Sequence, residues 1–442
     1  MSKSILMRSL STARKHFVNS SAFTFLSECS KQSPEIDMTS SISISPPPNS
    51  FAKRISSDDL IYGISRNLSK GLSSGDPESL DSVKRFFNKY GVACNQNNVS
   101  LNPGILASVA KTYDILGLKK SGKVIVPTPT FGYYFQQFKD EGVDFEILPT
   151  KKEDNFLIDA DRLDSLIGET KAKTLLLCYP NNPTGVALPK HNAEAIANIA
   201  KKRDIFVISD EVFIGNNLLD RDKHCPIASI DGMLERSLTL TSISKMMGSP
   251  NIRTGICVGP ERIVSRFKLL GGYPALDQKI ITTALEETEE NSQYLENDRQ
   301  KYLSNIALIK DRVSDLNNRL RSKFPEDGED KIFVKPFIEN PEAGNVYLLD
   351  FSGLKGKMHD RSVMNTGLDV AKWLLKEASV GTVPGECYAF DEKEMLVRIA
   401  LGHPQEEINK AFDNRCEAVT KIHLAPKHLP KVSSNDSRDI TI

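Results

Sequence analysis

From about Asn102 the chain alternates short apolar runs with stretches whose apolar residues recur at helical spacing. The runs are KVIVPTP, VDFEILP, KTLLLCYP, IFVISDE, LTLTSIS and GICVGP. Between two of them, Ala193, Ile196, Ala197 and Ala200 fall on one helical stripe, with Pro189 near the start of that helix. This alternation predicts an α/β fold, a mostly parallel central sheet covered by helices. From Asp277 to Phe324 the chain is highly charged and nearly free of helix breakers, which predicts one or two long helices leaving the large domain. The remainder, from KIFVKPF to a helix around Glu406 to Thr420, reads as a smaller α+β domain. The expected division is an extension over 1–50, the N-terminal part of the small domain over 51–100, the large domain over 101–295, a connecting helix with the small domain over 296–424, and a disordered tail over 425–442.

The first fifty residues differ from the rest. They carry Lys3, Arg8, Arg14 and Lys15, many serines and no acid before Glu28. Two readings stand side by side: a mitochondrial transit peptide within residues 1–30, or a disordered serine-rich arm running into the linker at Pro46 to Pro48. The corresponding locations are the mitochondrial matrix and the cytoplasm.

Composition narrows the partners. The 57 basic and 57 acidic side chains cancel, so no basic excess points to nucleic acid, and no apolar run approaches a membrane span. Seven scattered cysteines, with no CxxC pair, argue against a disulfide framework. His224 and Cys225 are adjacent, but no second pair completes a zinc site, and no metal is expected.

Four short stretches follow predicted strands, where open α/β sheets place their ligands. They are PTPTFGYY with Phe131, YPNNPTG with Asn182, SDEVF with Asp210, and TSISKMMGSPNIRTG with Lys245 and Arg253. Singly, each has an ordinary explanation: NNPTG is a good turn, Asp210 a helix cap, Phe131 a core residue, Lys245 an ion-pair partner. Together they suit one chemistry. A lysine amine forms a Schiff base with an aldehyde cofactor such as pyridoxal 5'-phosphate. A buried carboxylate, Asp210, suits its protonated ring nitrogen, Phe131 its ring face and Asn182 its phenolic oxygen. Ser242, Ser244 and Arg253 suit its phosphate.

These motifs resemble the class I/II aminotransferase family of fold-type-I pyridoxal-phosphate enzymes. The family's Asn-Pro-Thr-Gly matches Asn182 to Gly185, its Asp-Glu matches Asp210 and Glu211, its Ser-x-x-Lys matches Ser242 to Lys245, and its phosphate-binding arginine matches Arg253. Its substrate-carboxylate arginine matches Arg398 in LVRIALG, after VGTVPGECYAF. The resemblance spans about Leu60 to Leu424. It implies a homodimer that moves an amino group between an α-amino acid and a 2-oxo acid, with Lys245 as the Schiff-base lysine and Arg398 and Asn182 at the substrate.

Three positions depart from the family pattern. Phe213 stands where a tyrosine usually donates to the phenolic oxygen. In NPGILAS, Ile105 and Leu106 follow Gly104 where small or hydroxyl residues usually form the phosphate cup, which leaves backbone amides unless Ser108 reaches it. Tyr62 is a distant candidate for the tyrosine that crosses to a partner's phosphate, and Asp81 stands where an arginine is usual. These departures keep open a lyase, cyclase or oxidase of the same fold, and a catalytically silent relative.

Overall fold

The computed structural model describes residues 20–41, 43, 45–56, 75–219, 224–267 and 273–424. Tyr62, the basic residues before Asn19 and the tail beyond Leu424 lie outside the described residues. A two-residue strand near the start, β1 (Ile36–Asp37), pairs with Val380–Gly381 near the end. The seven strands of the central sheet are β2 (Val99–Pro103), β3 (Lys123–Thr128), β4 (Asp144–Pro149), β5 (Thr174–Cys178), β6 (Phe206–Asp210), β7 (Ser237–Thr241) and β8 (Thr254–Val258).

All six apolar runs named above fall on strands, β3 to β8, and the seven strands are ordered in space β2-β8-β7-β6-β5-β3-β4. β5, β7 and β8 are buried along their whole length. That burial explains why they read as continuous apolar runs: helices cover both faces of the sheet. The stripe Ala193, Ile196, Ala197 and Ala200 lies on the helix Lys190–Arg203 and packs into a core with Leu175, Leu177 and Val207. β8 alone runs antiparallel to its neighbours, β7 and β2. The C-terminal ends of β2, β3, β5, β6 and β7 and the N-terminal end of β8 therefore share one edge of the sheet. The order reverses between β3 and β5, which opens a crevice between the segments that leave those two strands.

The charged segment forms two helices, Ala275–Leu285 and the 35-residue Glu289–Lys323. The longer spans about 50 Å at 1.5 Å per residue. Its buried stripe, Tyr302, Ile306, Ile309, Val313, Leu316 and Leu320, enters the small-domain core beside Trp373 and Phe412. The small-domain sheet contains β9 (Lys335–Pro336), β10 (Val346–Asp350), Leu396–Ala400 and Val383–Pro384. No described helix is long and apolar enough to cross a membrane.

Two expected boundaries differ from the structure. Residues 20–41 are packed: the helix Ser20–Gln32 places Phe25 and Cys29, and β1 places Ile36, in the small-domain core. Residues 77–101, expected with the small domain, pack on the large one. Helix Pro77–Asn88 and β2 share a core with Ile256, Val258 and Ile281. A serine-rich composition hid the first segment, because its core contact rests on a few widely spaced apolar residues. Asp81 points out of helix Pro77–Asn88 to Lys84 and Arg85.

Candidate active site

The shared sheet edge brings the site together. Phe131 follows β3, Asn182 follows β5, Asp210 ends β6, Ser242 to Lys245 follow β7, and Arg253 precedes β8. Phe131, Asn182, Asp210, Ser242, Ser244, Lys245 and Arg253, with Ile105 and Phe213, line one cavity of ≈ 230 Å³. A second cavity, of ≈ 610 Å³, shares Phe131, Lys245 and Ser41 with it and is lined further out by Arg398, Tyr388 and Tyr133. Every site residue expected from the sequence faces one or both, except Gly104, which lies beside Arg253.

Lys245 sits on the single turn Ile243–Met246, capped by the Ser242 hydroxyl, which accepts from the Ser244 amide at 3.0 Å. Its Nζ donates to the Ser41 carbonyl at 2.8 Å and to the Ser41 hydroxyl at 3.0 Å. Burial, followed by the charges of Arg398 and Arg253, lowers its pKa to about 8, against a smaller opposing pull from Asp210. About a tenth of such a lysine is free amine at pH 7, against less than about a thousandth of an ordinary one. The amine is thus prepared for nucleophilic use.

Asp210 is buried, and burial raises its pKa to about 6 against the stabilising bonds from the Tyr134 hydroxyl and the Val212 amide. Such a carboxylate favours a buried cationic partner on its cavity side. Behind it, Glu211 accepts from the Ser209 hydroxyl at 2.9 Å and pairs with buried His224 at 3.3 Å. The Leu188 amide donates to His224 Nδ1, so the ring donates to Glu211 from Nε2.

At the cavity floor, Gly104 has φ +95°, and a Cβ there would lie 3.1 Å from Arg253 Nη2. Glycine therefore lets the backbone turn into helix Ile105–Ile115 while the guanidinium comes close. That helix has no side-chain cap, and its first residues, Ile105 and Leu106, line the cavity with Arg253, Ser242 and Ser244, a set suited to an anion. Ser108 does not supply the missing cup hydroxyl. It is buried and donates to the Gly104 carbonyl at 3.0 Å.

Arg398 lies on the strand Leu396–Ala400, between Leu348 and Val383. Its Nη2 donates to the Thr39 carbonyl, its guanidinium lies over the Tyr388 ring with Cζ 5.6 Å from the centroid, and its Nε is buried without a partner. Phe213 is fully buried at the cavity wall and presents no hydroxyl.

The residues fit pyridoxal phosphate on grounds of this chain alone. Asn182 lines the cavity with an amide that can donate, Asp210 is buried short of a cation, and the uncapped helix start meets an arginine and two hydroxyls.

The family model for aminotransferase class I and II matches residues 52–414. The chain belongs to this family. Its enzymes use pyridoxal phosphate, and the protein is a pyridoxal-phosphate-dependent aminotransferase of fold type I. Among similar proteins, aromatic-amino-acid aminotransferase 2 of Thermococcus litoralis is 28% identical over 371 residues, 80% of this chain and 86% of the relative. The aspartate aminotransferase of Pyrococcus abyssi is 28% identical over 364 residues, 79% of this chain and 84% of the relative. The solved aspartate aminotransferase of Thermus thermophilus (a single mutant) superposes with a TM-score of 0.73 at 19% identity, covering 91% of this chain and 96% of that one, a likeness of fold.

Sequence reasoning missed Tyr134, Thr39, Ser41 and Tyr388. Tyr134 had a signal. It stands three residues after Phe131, at the start of a helix, where that spacing turns both rings to one side. Thr39 had none, because it acts through its backbone carbonyl, and Ser41, which accepts through both carbonyl and hydroxyl, is one of several serines in its run.

Proposed function

We propose that this chain moves an amino group from an α-amino acid to a 2-oxo acid with Lys245 as the residue that both attaches the cofactor and carries the proton. The observation that supports this most is the buried Lys245, with its lowered pKa, between the carboxylate of Asp210 and the guanidinium of Arg398.

When bound, pyridoxal phosphate supplies an aldehyde for amine exchange and a ring that accepts the electron pair left when Cα loses its proton. The protein does the rest. Asp210, held by Tyr134 and the Val212 amide, keeps the ring nitrogen protonated. Asn182 donates its amide to the phenolic oxygen, and Phe131 covers the ring face. Ser242, Ser244, Arg253 and the amides of Ile105 and Leu106 hold the phosphate. Arg398 takes the substrate carboxylate in its planar fork once the Thr39 carbonyl gives way. Lys245, as a free amine, would serve as general base toward the Cα proton and as general acid in returning it.

The reading includes a homodimer, testable by sedimentation, and a cytoplasmic location. A removable leader in this reading ends before residue 20, since the next residues are packed against the site.

Borohydride should fix the cofactor to the parent protein and not to Lys245→Ala. Trapping of the variant at unchanged stoichiometry would sink the assignment. Conversion of the loaded parent by an amino acid, reversed by a 2-oxo acid, tests transfer itself.

A further inference from the structure

The larger cavity extends away from Arg398 between two helices. Along Ser20–Gln32 the residues divide into two stripes. Ala22, Phe25 and Cys29 are buried in the protein core, whereas Phe23, Leu26, Ser27 and Ser30 face the cavity. The spacing i, i+3, i+4, i+7 of the second stripe makes this face of the helix a wall. Opposite, Tyr133 and Gln136 stand one turn apart on helix Tyr133–Glu141 and line the same space. The rings converge. Phe23 meets Tyr133 edge-on at 5.6 Å between centroids, and Phe131 lies 5.3 Å from Tyr133. Tyr133 is 46% exposed, so its ring is open to a partner on the cavity side.

Charge is distributed unevenly. Among the described residues lining this cavity, Lys245 and Arg398 are the ionic groups; Lys245 also lines the cofactor cavity, and Arg398 lies near enough to act on its charge. The outer part offers rings, Leu26, and the polar ends of Ser27, Ser30 and Gln136. A carboxylate or ammonium placed there would lose hydration without gaining an opposite charge.

We propose that this recess is the substrate side-chain pocket, that it selects large uncharged aromatic amino acids, and that Phe23 and Tyr133 are its specificity-determining residues. The proposal rests on the reading that Arg398 holds the α-carboxylate, which fixes the side chain's direction. A planar ring laid against the cluster of Phe23, Tyr133 and Phe131 gains edge and face contacts with it, and the serines and Gln136 line the same recess, where a polar ring substituent would find partners. Phe23 is the informative member. It belongs to a segment whose composition reads as an arm, yet its ring forms the far wall.

The test uses the loaded full-length enzyme with phenylalanine, tyrosine, alanine, aspartate and lysine as donors, and calorimetric binding of 3-phenylpropionate and succinate. The expected result is that kcat/KM for phenylalanine exceeds that for aspartate and lysine by at least about tenfold, and that 3-phenylpropionate binds more tightly than succinate. Phe23→Ala should lower the phenylalanine-to-alanine ratio of kcat/KM by about tenfold, chiefly through KM, with Phe23→Leu partly restoring it. Preference for aspartate and succinate would overturn the proposal, and so would an unchanged ratio in Phe23→Ala. If no donor reacts but 3-phenylpropionate still binds and Phe23→Ala weakens it, the transaminase reading fails while the pocket assignment stands.

Discussion

Lys245 donates to the backbone carbonyl of Ser41 at 2.8 Å, across 204 positions of sequence. Two residues earlier in the same segment, the Thr39 carbonyl accepts from Arg398. One stretch of backbone thus satisfies both the amine that attaches the cofactor and the guanidinium assigned to the substrate. Lys245 stays buried without a carboxylate partner, and its lowered pKa follows from that environment.

Cofactor-free protein should capture pyridoxal phosphate at a rate set by the ionisation of Lys245. The reactive form is the neutral amine, and the folded pKa is about 8. The capture rate, followed by visible absorbance, should rise about tenfold per pH unit below 8 and level off above it. Arg398→Met removes a neighbouring positive charge and should move the midpoint upward. Arg398→Lys keeps the charge and the midpoint, yet should raise KM for every amino-acid donor, because the two-pronged grip is lost. A midpoint near 10 in the parent would contradict the account.

Asp210 offers a trade between stability and cofactor. Its pKa is about 6 in the folded protein against an ordinary 3.8, so the native state holds a proton that the unfolded chain has already released in that interval. Cofactor-free stability should therefore decline as pH rises from about 4 to 6, by up to about 3 kcal/mol. Asp210→Asn should remove this slope and raise the neutral-pH Tm of the cofactor-free protein, while weakening cofactor retention. A variant less stable than the parent at pH 7 without cofactor would refute the desolvation argument.

Tyr134→Phe deletes the hydroxyl that donates to Asp210 and leaves the ring in place. The carboxylate would then rely on the Val212 amide, and its affinity for a proton should rise further. Equilibrium dialysis should show cofactor affinity reduced by roughly tenfold, as expected for one lost hydrogen bond to a charged group. Unchanged affinity would remove Tyr134 from any part in positioning Asp210.

Phe213 lines the cofactor cavity, with the backbone of Gly344 close to its ring. Phe213→Tyr introduces a donor for the ionised phenolic oxygen. The pH at which the visible band of the loaded enzyme titrates should fall by on the order of one unit. A fixed midpoint would mean that the new hydroxyl points away from the cofactor.

The sheet was legible because its strands are buried on both faces and leave continuous apolar runs, TLLLC above all. The edge residues were legible for a related reason. Side chains that do chemistry at strand ends, such as Asp210, Lys245 and Asn182, interrupt those runs with polar types the core would reject. β2 was not read as a strand, since Asn102 and Pro103 break its apolar pattern while it pairs with β8 in the sheet. The role of residues 20–41 was hidden differently. Thr39 contributes a carbonyl oxygen, which every residue type carries, and Ser41, whose carbonyl and hydroxyl both accept from Lys245, is one of several serines in its run. Phe23 and Phe25 stand two positions apart on one helix, which turns them to opposite faces, one to the substrate recess and one to the core, and which face is the core depends on the helix's placement.

The pairing of β1 with Val380–Gly381 has a consequence for the order of assembly. Residues 36–41 emerge early from the ribosome, but their partners, Val380, Gly381, Arg398 and Ala400, are among the last to be made. At about 5–20 residues per second, the segment waits on the order of tens of seconds for them. The central sheet and its strand-end residues can be complete throughout that interval. A nascent or prematurely ended chain would then carry Lys245 and Asp210 without the carbonyls and the guanidinium that surround them in the finished molecule, so the substrate site is among the last parts of the fold to exist.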